Sequence, residues 1–397
     1  MFFGSKPQIV TDERKIDALL TRGVHEVLPG AASLKKLLME GRQLRIKLGI
    51  DPTSPNVHIG RSVAILKLKD FQDLGHKVML IIGDATGVIG DTSDKDAERP
   101  MLTDAQVKKN LKSYVSQIQK LLNPALMEVR RNSTWLLKLN YARIGEQADQ
   151  FSVADFIARE NIKKRLESGK RVSLREVLYP LMQGYDSVAV QADVELGGTD
   201  QKFNLLAGRT LQEAYGQRPQ HILMSNIIPG TDGRKMSSSW GNTININDDP
   251  TNMFGKVMSV PDDIVATYFT HATRLTEDAI ARALAKHPKE AKGILAREIV
   301  RMYHGDRAAQ KAQENFEQTF SKKGVPDDAR EVRVGAEGLM DALVREKVVS
   351  SKSDYRRLIS EGAIRIVSSD EKVSEHMLPP YGETLRVGKH RFVKIVK

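Results

Sequence analysis

The segment KLGIDPTSPNVHIGR, residues 47–61, constrains the fold of this 397-residue chain more than any other stretch. Before it, apolar and charged side chains alternate, which predicts a short strand ending near Ile50. After it, apolar residues from Val63 to Leu74 share one helical face. The two prolines between lack an N–H group and fix φ, as turns require. A strand passing through such a turn into a helix directs backbone donors and a helix dipole at a cleft, which suits phosphate.

His58 stands at the start of that helix, where an imidazole could contact a phosphoryl oxygen. A histidine at this position also caps helices or faces solvent, and taken alone the residue favours that ordinary explanation. The segment therefore needs a second motif before it indicates a function.

A second buried strand is predicted at Val78–Ile82, and the glycine-containing loop Gly83–Asp91 follows it. Strand, helix and strand in this order favour a parallel α/β sheet with right-handed crossovers. The loop lacks the spacing of the dinucleotide fingerprint, and no Walker A lysine pattern occurs. These two kinds of nucleotide site are therefore not expected.

The composition limits the chemistry further. The chain has no cysteine, which excludes disulfides, thiolate zinc sites and cysteine nucleophiles. No apolar run approaches the ~18 residues that span a bilayer, and the N-terminus lacks the features of a signal peptide, so we expect a cytoplasmic protein. The net charge of +11 permits a polyanionic partner, although it is equally explained by solubility.

Two downstream stretches carry candidate functional residues. The predicted helix Leu174–Val190 contains Tyr179, Gln183 and Asp186, and steps of four and three place these side chains on one face. The loop GRKMSSS, residues 233–239, combines one ammonium with three hydroxyls, which suits a triphosphate. Alone, the loop is a weak signal.

Together these segments resemble the signatures of class I aminoacyl-tRNA synthetases. The segment at His58 resembles the "HIGH" signature, and residues 233–239 resemble the "KMSKS" loop. YPLMQGYD (179–186), VELGGTDQKFN (194–204) and DATGVIGDTSDKDAER (84–99) resemble the bacterial tyrosyl-tRNA synthetases. The resemblance covers essentially the whole chain, and the separated motifs keep the family's order.

The resemblance implies which residues contact tyrosine. The family's aspartate that accepts the phenol hydroxyl falls on Asp186, and a buried acceptor left unpaired by phenylalanine is costly. The acceptors for the substrate ammonium fall on Tyr179, Gln183 and Asp91. The complete tyrosine set that the resemblance implies is Lys47, Asp91, Tyr179, Gln183, Asp186 and Gln201.

The resemblance also implies an ATP set and a catalytic set. Asp51 and Thr53 fall where the family holds substrates and phosphates, and Asp200 falls at the ribose. The ATP set is Gly49, Asp51, Thr53, His58, Gly60, Gly198, Asp200, Lys235, Ser237 and Ser239. The catalytic set is His58, Arg61, Lys95, Arg99, Lys235 and Ser238. By composition, Lys95 and Arg99 are equally well explained as solvated surface charges.

Three positions depart from the family's pattern. Arg61 replaces the second histidine of the first signature, and Ser238 replaces the second lysine of the loop. Lys47 stands where the best-studied members carry a tyrosine near the phenol. A guanidinium still supplies charged donors, so Arg61 is an acceptable substitute for the histidine. Ser238 removes a cation from the loop, and the sequence leaves open whether the neighbouring Arg234 compensates for it.

The expected architecture has three domains. They are a Rossmann-like parallel-sheet catalytic domain (1–232) with a helical connective insertion at about 125–172, an all-helical anticodon-side domain (233–325), and a small α+β RNA-binding domain (335–397). The insertion is explained either as a solvated connector or as a dimer surface. In the last domain Ser353, Arg356 and Arg357 would contact phosphates, and the alternative is a solvated basic helix.

The resemblance thus implies activation of tyrosine by ATP, then transfer to tRNA, by a cytoplasmic homodimer with no membrane partner. Magnesium is expected on the ATP phosphates, and no protein-bound metal site is expected. The alternative is a synthetase-derived RNA-binding or regulatory protein with impaired charging.

Overall fold

The computed structural model describes residues 8–90, 103–321, 329–335, 337–369, 371–375, 377–388 and 391–397. The chain divides into two compact units, residues 1–247 with 266–275, and residues 248–265 with 276–397. The first unit thus extends past the boundary expected at residue 232. The reason is backbone pairing, because Ile59 N–H donates to Ile244 O at 2.9 Å and Ile246 N–H donates to Val57 O at 2.9 Å.

A six-stranded sheet forms the centre of the first unit, in the order β1-β6-β5-β2-β3-β4. The five strands from β6 to β4 run parallel, which confirms the predicted parallel sheet, and β1 pairs antiparallel with β6 at the edge. The strands are β1 (Val24–Leu28), β2 (Arg45–Ile50), β3 (Lys77–Ile82), β4 (Met127–Arg131), β5 (Val194–Gly198) and β6 (His221–Ser225).

The strand order reverses direction between β2 and β5. From β2 the chain adds β3 and β4 on one side, and it returns to add β5 and β6 on the other. The carboxyl ends of β2 and β5, at Ile50 and Gly198, therefore diverge into separate connections. Open α/β sheets bind ligands at such a switch point.

Helices connect these strands and pack on the sheet; α3 contacts β2, β3 and β5, and α12 contacts β5, β6 and α11. The helices before β4 are α1 (Glu13–Thr21), α2 (Ala31–Met39), α3 (Ile59–Asp73), α4 (Thr86–Ile89) and α5 (Asp104–Ile118). Those after it are α6 (Ser133–Leu136), α7 (Tyr141–Ala148), α8 (Val153–Ile157), α9 (Glu160–Glu167), α10 (Leu174–Val177), α11 (Tyr179–Val190) and α12 (Lys202–Ala214).

Residues 266–275, most of them in α14 (Val265–Ala272), return to the first unit. The guanidinium of Arg22 donates to the carbonyls of Thr270 at 3.2 Å and Thr273 at 2.9 Å. Tyr268 donates its hydroxyl to the carbonyl of Pro229 at 2.7 Å. These bonds explain why residues 266–275 belong to the first unit, whereas the helices that flank them in sequence belong to the second.

The second unit contains helices followed by a small mixed module. Its helices are α13 (Pro250–Met258), α15 (Glu277–Leu284), α16 (Pro288–His304) and α17 (Asp306–Ser321). The module contains β7 (Arg330–Arg333), α18 (Gly338–Arg345), α19 (Lys352–Ser360), β8 (Ile364–Ile366), β9 (Thr384–Val387) and β10 (Arg391–Val396), with its sheet in the order β7-β10-β9-β8. Among the described residues, no helix is both long and apolar enough to cross a membrane.

Candidate active site

A cleft of about 860 Å³ opens at the switch point of the first unit. Its walls come from the carboxyl ends of β2, β3, β5 and β6, from the start of α3, from α11, and from the loop that precedes residue 241. Of the residues expected to form the site, the cleft is lined by Gly49, Asp51, Thr53, His58, Gly60, Arg61, Tyr179, Gln183, Asp186, Gly198, Asp200, Gln201, Lys235, Ser237 and Ser238.

The remaining expected residues are not among the lining residues. Asp91, Lys95 and Arg99 lie outside the described residues, as does the side chain of Ser239. Lys47 lies behind the wall of the cleft, in the core of the sheet. The first signature, the helical face and the downstream loop nevertheless meet in one place, although they are far apart in sequence.

His58 caps the helix and faces the cleft at the same time. Its Nδ1 accepts a hydrogen bond from the backbone N–H of Arg61 at 3.3 Å, so a neutral ring carries its proton on Nε2. Burial lowers the pKa of His58 to about 3, and the charges of Arg61 and Lys235 add to this shift. Helix capping and contact with a phosphoryl oxygen are therefore compatible roles for His58, because capping through Nδ1 fixes the tautomer that can donate from Nε2.

A chain of hydrogen bonds joins the first signature to the helical face. Asp51 accepts from Thr86 Oγ1 at 2.7 Å and from the hydroxyl of Tyr179 at 2.9 Å. Asn132 donates from Nδ2 to Thr86 Oγ1 at 3.0 Å and to Asp186 Oδ2 at 3.3 Å. Gly83 makes room for this arrangement, since a Cβ there would lie 1.9 Å from Asp51 Oδ1.

Asp186 is a buried carboxylate held by two donors. Trp135 donates from Nε1 to Oδ1 at 2.8 Å, and Asn132 donates to Oδ2. Sequence reasoning missed both donors and Thr86. A signal existed, because Asn132 and Trp135 directly follow the carboxyl end of β4, where parallel sheets place functional residues.

Burial raises the pKa of Asp186 to about 7 from its ordinary value of 3.8. The folded protein therefore holds a proton that the unfolded chain releases above pH 3.8. Protonation of Asp186 therefore contributes to the free energy of unfolding. This contribution is fully present below pH 3.8 and is lost as the pH rises through about 7.

We expect Asp186→Asn to remove this pH dependence. Between pH 5 and 7 the wild type should lose on the order of 1 kcal/mol of stability per pH unit relative to the variant. Urea unfolding at several pH values, followed by tryptophan fluorescence, measures this, because both tryptophans of the chain, Trp135 and Trp240, lie in the first unit. Parallel pH profiles would contradict the assignment.

The downstream loop is organised by Asn242. This side chain donates to Asp232 Oδ1 at 2.8 Å and to the carbonyl of Lys235 at 3.1 Å, and it accepts from the N–H of Ser237 at 2.8 Å. Hydrogen bonds from Asn242 and then Arg234 lower the pKa of Asp232 to about 2. The loop therefore presents its side chains from a defined backbone.

Lys235 and Arg234 of this loop have different partners. Lys235 Nζ forms an ion pair with Asp200 Oδ2 at 3.1 Å, inside the cleft. Arg234 pairs with Asp232 at 2.6 Å, and its guanidinium lies 4.9 Å from the ring centre of Trp240. Arg234 does not line the cleft, so its position gives no support to the idea that it replaces the cation missing at Ser238.

Arg61 lines the same cleft. Its guanidinium hydrogen-bonds the hydroxyl of Tyr114 and donates to Thr53 Oγ1 at 3.1 Å. Arg61 and Thr53 thus present a cation and a hydroxyl side by side, a combination that suits a phosphate oxygen.

Lys47 requires a correction. Lys47 was expected among the residues that bind tyrosine, but it is completely buried and its ammonium pairs with Glu195 at 2.9 Å. The reason lies in its partners, because the ammonium also donates to the carbonyl of Gln183 and to Ser187 Oγ, on the buried side of α11. Any effect of Lys47 on tyrosine is therefore indirect.

The candidate RNA-binding residues lie together on α19 of the second unit. Ser353, Arg356 and Arg357 are exposed. Arg356 pairs with Glu375 at 2.8 Å, and Arg357 pairs with Asp354 and Glu361, each at 2.8 Å. Such exposed pairs are weak, so phosphates can compete for both guanidinium groups.

Side chains that could bind a metal are scattered in the described part of the chain. Its residues contain no group of three or more His, Cys, Asp or Glu side chains that could hold an ion.

Comparison with known proteins gives a consistent result. A family model described as tRNA synthetases class I (W and Y) matches residues 39–321. The chain is 44% identical to a tyrosine–tRNA ligase of Carboxydothermus hydrogenoformans, over 95% of this chain and 97% of that protein. It is 43% identical to a tyrosine–tRNA ligase of Thermotoga maritima, over 97% of this chain and 98% of that protein.

Solved structures share the fold at lower sequence identity. A C-terminally truncated mitochondrial tyrosyl-tRNA synthetase of Aspergillus nidulans superposes with a TM-score of 0.66 at 21% identity, over 77% of this chain and 94% of that one. The tyrosyl-tRNA synthetase of Archaeoglobus fulgidus, complexed with L-tyrosine, gives 0.61 at 19% identity, over 76% and 100%.

Proposed function

We propose roles for the residues that line the cleft of the first unit. The chain belongs to the class I tRNA synthetases for tryptophan and tyrosine. Its activity is that of a tyrosine–tRNA ligase, which activates L-tyrosine with ATP and transfers it to tRNA. The alternative of an RNA-binding protein with impaired charging is not supported by these relatives. The roles proposed for individual residues rest on the geometry of the cleft.

The first reaction requires positioning more than it requires a protein nucleophile. The carboxylate oxygen of tyrosine attacks the α-phosphorus of ATP, the bond from that phosphorus to the bridging oxygen breaks, and pyrophosphate leaves with the negative charge. The residues of the cleft hold the two substrates in line and stabilise the charge that develops.

The observation that carries the proposal is the buried carboxyl group of Asp186, which lines the cleft and accepts hydrogen bonds from Trp135 and Asn132. Trp135 and Asn132 occupy one lone pair on each oxygen and leave others for the phenol hydroxyl of tyrosine. Gln183 lies about one helical turn from Asp186 and Tyr179 about two, and both line the cleft. With Asp91, they are proposed to supply oxygen acceptors for the ammonium. Gln201 is proposed to contact tyrosine from the β5 side.

ATP is proposed to bind in the same cleft. His58 donates from Nε2 to a phosphate, and Arg61 and Thr53 contact phosphate oxygens. Asp200 accepts from the ribose, and Lys235, its ion-pair partner, contacts the departing pyrophosphate. The other residues proposed to contact ATP are Gly49, Asp51, Gly60, Gly198, Ser237, Ser238 and Ser239, with Lys95 and Arg99 on the pyrophosphate side.

Magnesium is proposed to enter with ATP, bound to its phosphates as part of the substrate. It would offset the charge of the polyphosphate while Arg61 and Lys235 contact oxygens that the ion leaves open. The cytoplasm is the proposed location, because uncharged tRNA and ATP are both available there.

Tyrosine-dependent exchange of pyrophosphate into ATP, followed by charging of a tRNA pool, tests the residue assignments. We expect wild type to catalyse tyrosine-dependent exchange and variants of the proposed cleft residues to lose it. Cleft variants that retain full exchange would contradict the roles assigned to those residues. The family to which the chain belongs would not be in question, because it rests on sequence similarity.

The second unit is proposed to bind tRNA through α19. We expect Arg356→Ala/Arg357→Ala to leave pyrophosphate exchange unchanged, to raise KM for tRNA in charging, and to reduce the salt dependence of tRNA binding by about one to two ion equivalents. Lys394→Ala, an exposed cation on the sheet of the same module, is the matched control. Equal loss of exchange and charging would mean that α19 supports the structure instead.

A homodimer is proposed from the exposed apolar side chains between residues 133 and 174. Leu137 is 77% exposed, Tyr141 94%, Val153 71% and Leu174 71%. Large apolar side chains clustered in one segment indicate an interaction surface. We expect Leu137→Glu/Tyr141→Glu to shift sedimentation from dimer to monomer, whereas Leu284→Glu, an exposed apolar residue of the second unit, should not. A wild-type monomer would contradict the proposal.

A further inference from the structure

A buried ion pair lies directly behind the helix that carries the tyrosine pocket. Lys47 on β2 and Glu195 on β5 are opposite each other in the sheet register. Both side chains are 0% exposed, and Lys47 Nζ lies 2.9 Å from Glu195 Oε1. Burying two charges is costly, and a well-packed apolar pair is often as stable. The pair therefore calls for an explanation other than stability.

Both charges bind α11 at the same residue, Gln183. Lys47 donates to its backbone carbonyl at 2.8 Å and to Ser187 Oγ at 2.7 Å. Glu195 Oε1 accepts from the side-chain amide of Gln183, at 3.3 Å from Nε2. Glu195 Oε2 accepts from Ser187 Oγ at 3.0 Å and from Gln220 Nε2.

Glu195 determines which end of the Gln183 amide faces the cleft. A carboxylate can only accept hydrogen bonds, so the amide nitrogen must point at Glu195. Gln183 also lines the cleft, and its remaining amide atom is the carbonyl oxygen. An oxygen accepts a hydrogen bond from an ammonium, whereas an amide nitrogen would repel it.

We propose that Glu195 is a positioning residue, which holds the Gln183 amide so that its oxygen faces the ammonium of tyrosine, and that Lys47 balances the charge that this requires. The inference rests on the proposed role of Gln183 and adds a determinant of its orientation. The surrounding packing agrees, because a Cβ on Gly208 would lie 2.9 Å from Ser187 Oγ and 3.3 Å from Glu195 Oε2. Lys47 also limits the effect of Glu195 on Asp186: burial is the main cause of the raised pKa of Asp186, Lys47 opposes it, and Glu195 adds to it.

A pair of ligands isolates the ammonium contact. Tyramine carries a phenol and an ammonium, and 2-(4-hydroxyphenyl)ethanol carries a hydroxyl in place of the ammonium. The ratio of their affinities, from inhibition of tyrosine-dependent exchange or from calorimetry, reports the preference for the ammonium. A merely structural change would weaken both ligands together and leave the ratio unchanged.

Three variants of the full-length chain test the proposal. In Lys47→Met/Glu195→Met the amide of Gln183 loses its partner, and the ratio should fall by about tenfold, as for one hydrogen bond to a charged group. Lys47→Met/Glu195→Gln removes both charges but keeps an oxygen for the amide nitrogen, so the ratio should stay near that of wild type. Gln183→Met defines the ratio without the contact.

The charge swap Lys47→Glu/Glu195→Lys keeps a buried pair and serves if the double methionine variant fails to fold. An ammonium at residue 195 requires the amide oxygen of Gln183, so its nitrogen should face the cleft and the ratio should fall as in Gln183→Met. If the double methionine variant or the charge swap keeps the wild-type affinity ratio while Gln183→Met lowers it, Glu195 does not position Gln183. A wild-type ratio in Gln183→Met would instead remove Gln183 from the ammonium contacts, and the proposed role of Gln183 would fail with it.

Discussion

Replacement of Lys235 by alanine lowers kcat for tyrosyl-adenylate formation by on the order of 10²-fold, the effect of removing one preorganised donor. Lys235 is the lysine of a loop in which Ser238 stands where the family's pattern has a second cation. Charge on the pyrophosphate develops mainly in the transition state, so KM for ATP should change little. Loss of Lys235 also frees Asp200 from its ion pair, which leaves the proposed ribose contact intact.

Single-turnover measurement of adenylate formation gives this rate directly. Ser238→Lys is the informative partner variant, because a cation added beside a polyanion should raise the rate or leave it unchanged. Arg234→Ala is the matched control, since Arg234 pairs with Asp232 and does not line the cleft. A fast wild type that is indifferent to Lys235→Ala would remove this loop from the mechanism.

Replacement of Asp186 by alanine lowers kcat/KM for tyrosine by on the order of 10²-fold, because the phenol hydroxyl loses its acceptor and Trp135 and Asn132 each lose the carboxyl oxygen to which they donate. The rate with phenylalanine should change much less, so the preference for tyrosine should largely disappear. The ratio of the two kcat/KM values measures this and cancels any loss of folded enzyme.

Trp135→Phe provides the graded control for that experiment. It keeps the carboxylate of Asp186 but removes the donor to Oδ1, so the preference for tyrosine should fall by about tenfold. An Asp186→Ala variant with wild-type selectivity would show that the phenol binds elsewhere in the cleft.

The main features of the fold could be predicted from local patterns. The run from Leu44 to Leu74 alternates with a period of two, turns at prolines and continues with a helical period, and the structure confirms β2 and α3 there. The short strand Val24–Leu28 was not predicted. Its pairing partner is β6, which lies far along the chain, and local periodicity contains no information about such a partner.

The candidate site was predictable where it depends on spacing within one element. Tyr179, Gln183 and Asp186 share a helical face, and all three line the cleft. Roles that depend on contacts between elements were not predictable. Whether Lys47 faces the substrate or the core depends on Glu195 across the sheet and on its bonds to α11, and the donors to Asp186 come from the segment after β4.

A crystal structure of the chain with a non-hydrolysable tyrosyl-adenylate analogue, in which a sulfamoyl group replaces the phosphoryl group, tests the central claim most directly. We predict the phenol oxygen within hydrogen-bonding distance of Asp186, the ammonium against the amide oxygen of Gln183, and the ribose against Asp200. A ligand bound outside this cleft, or bound in it with the phenol away from Asp186, would contradict the account.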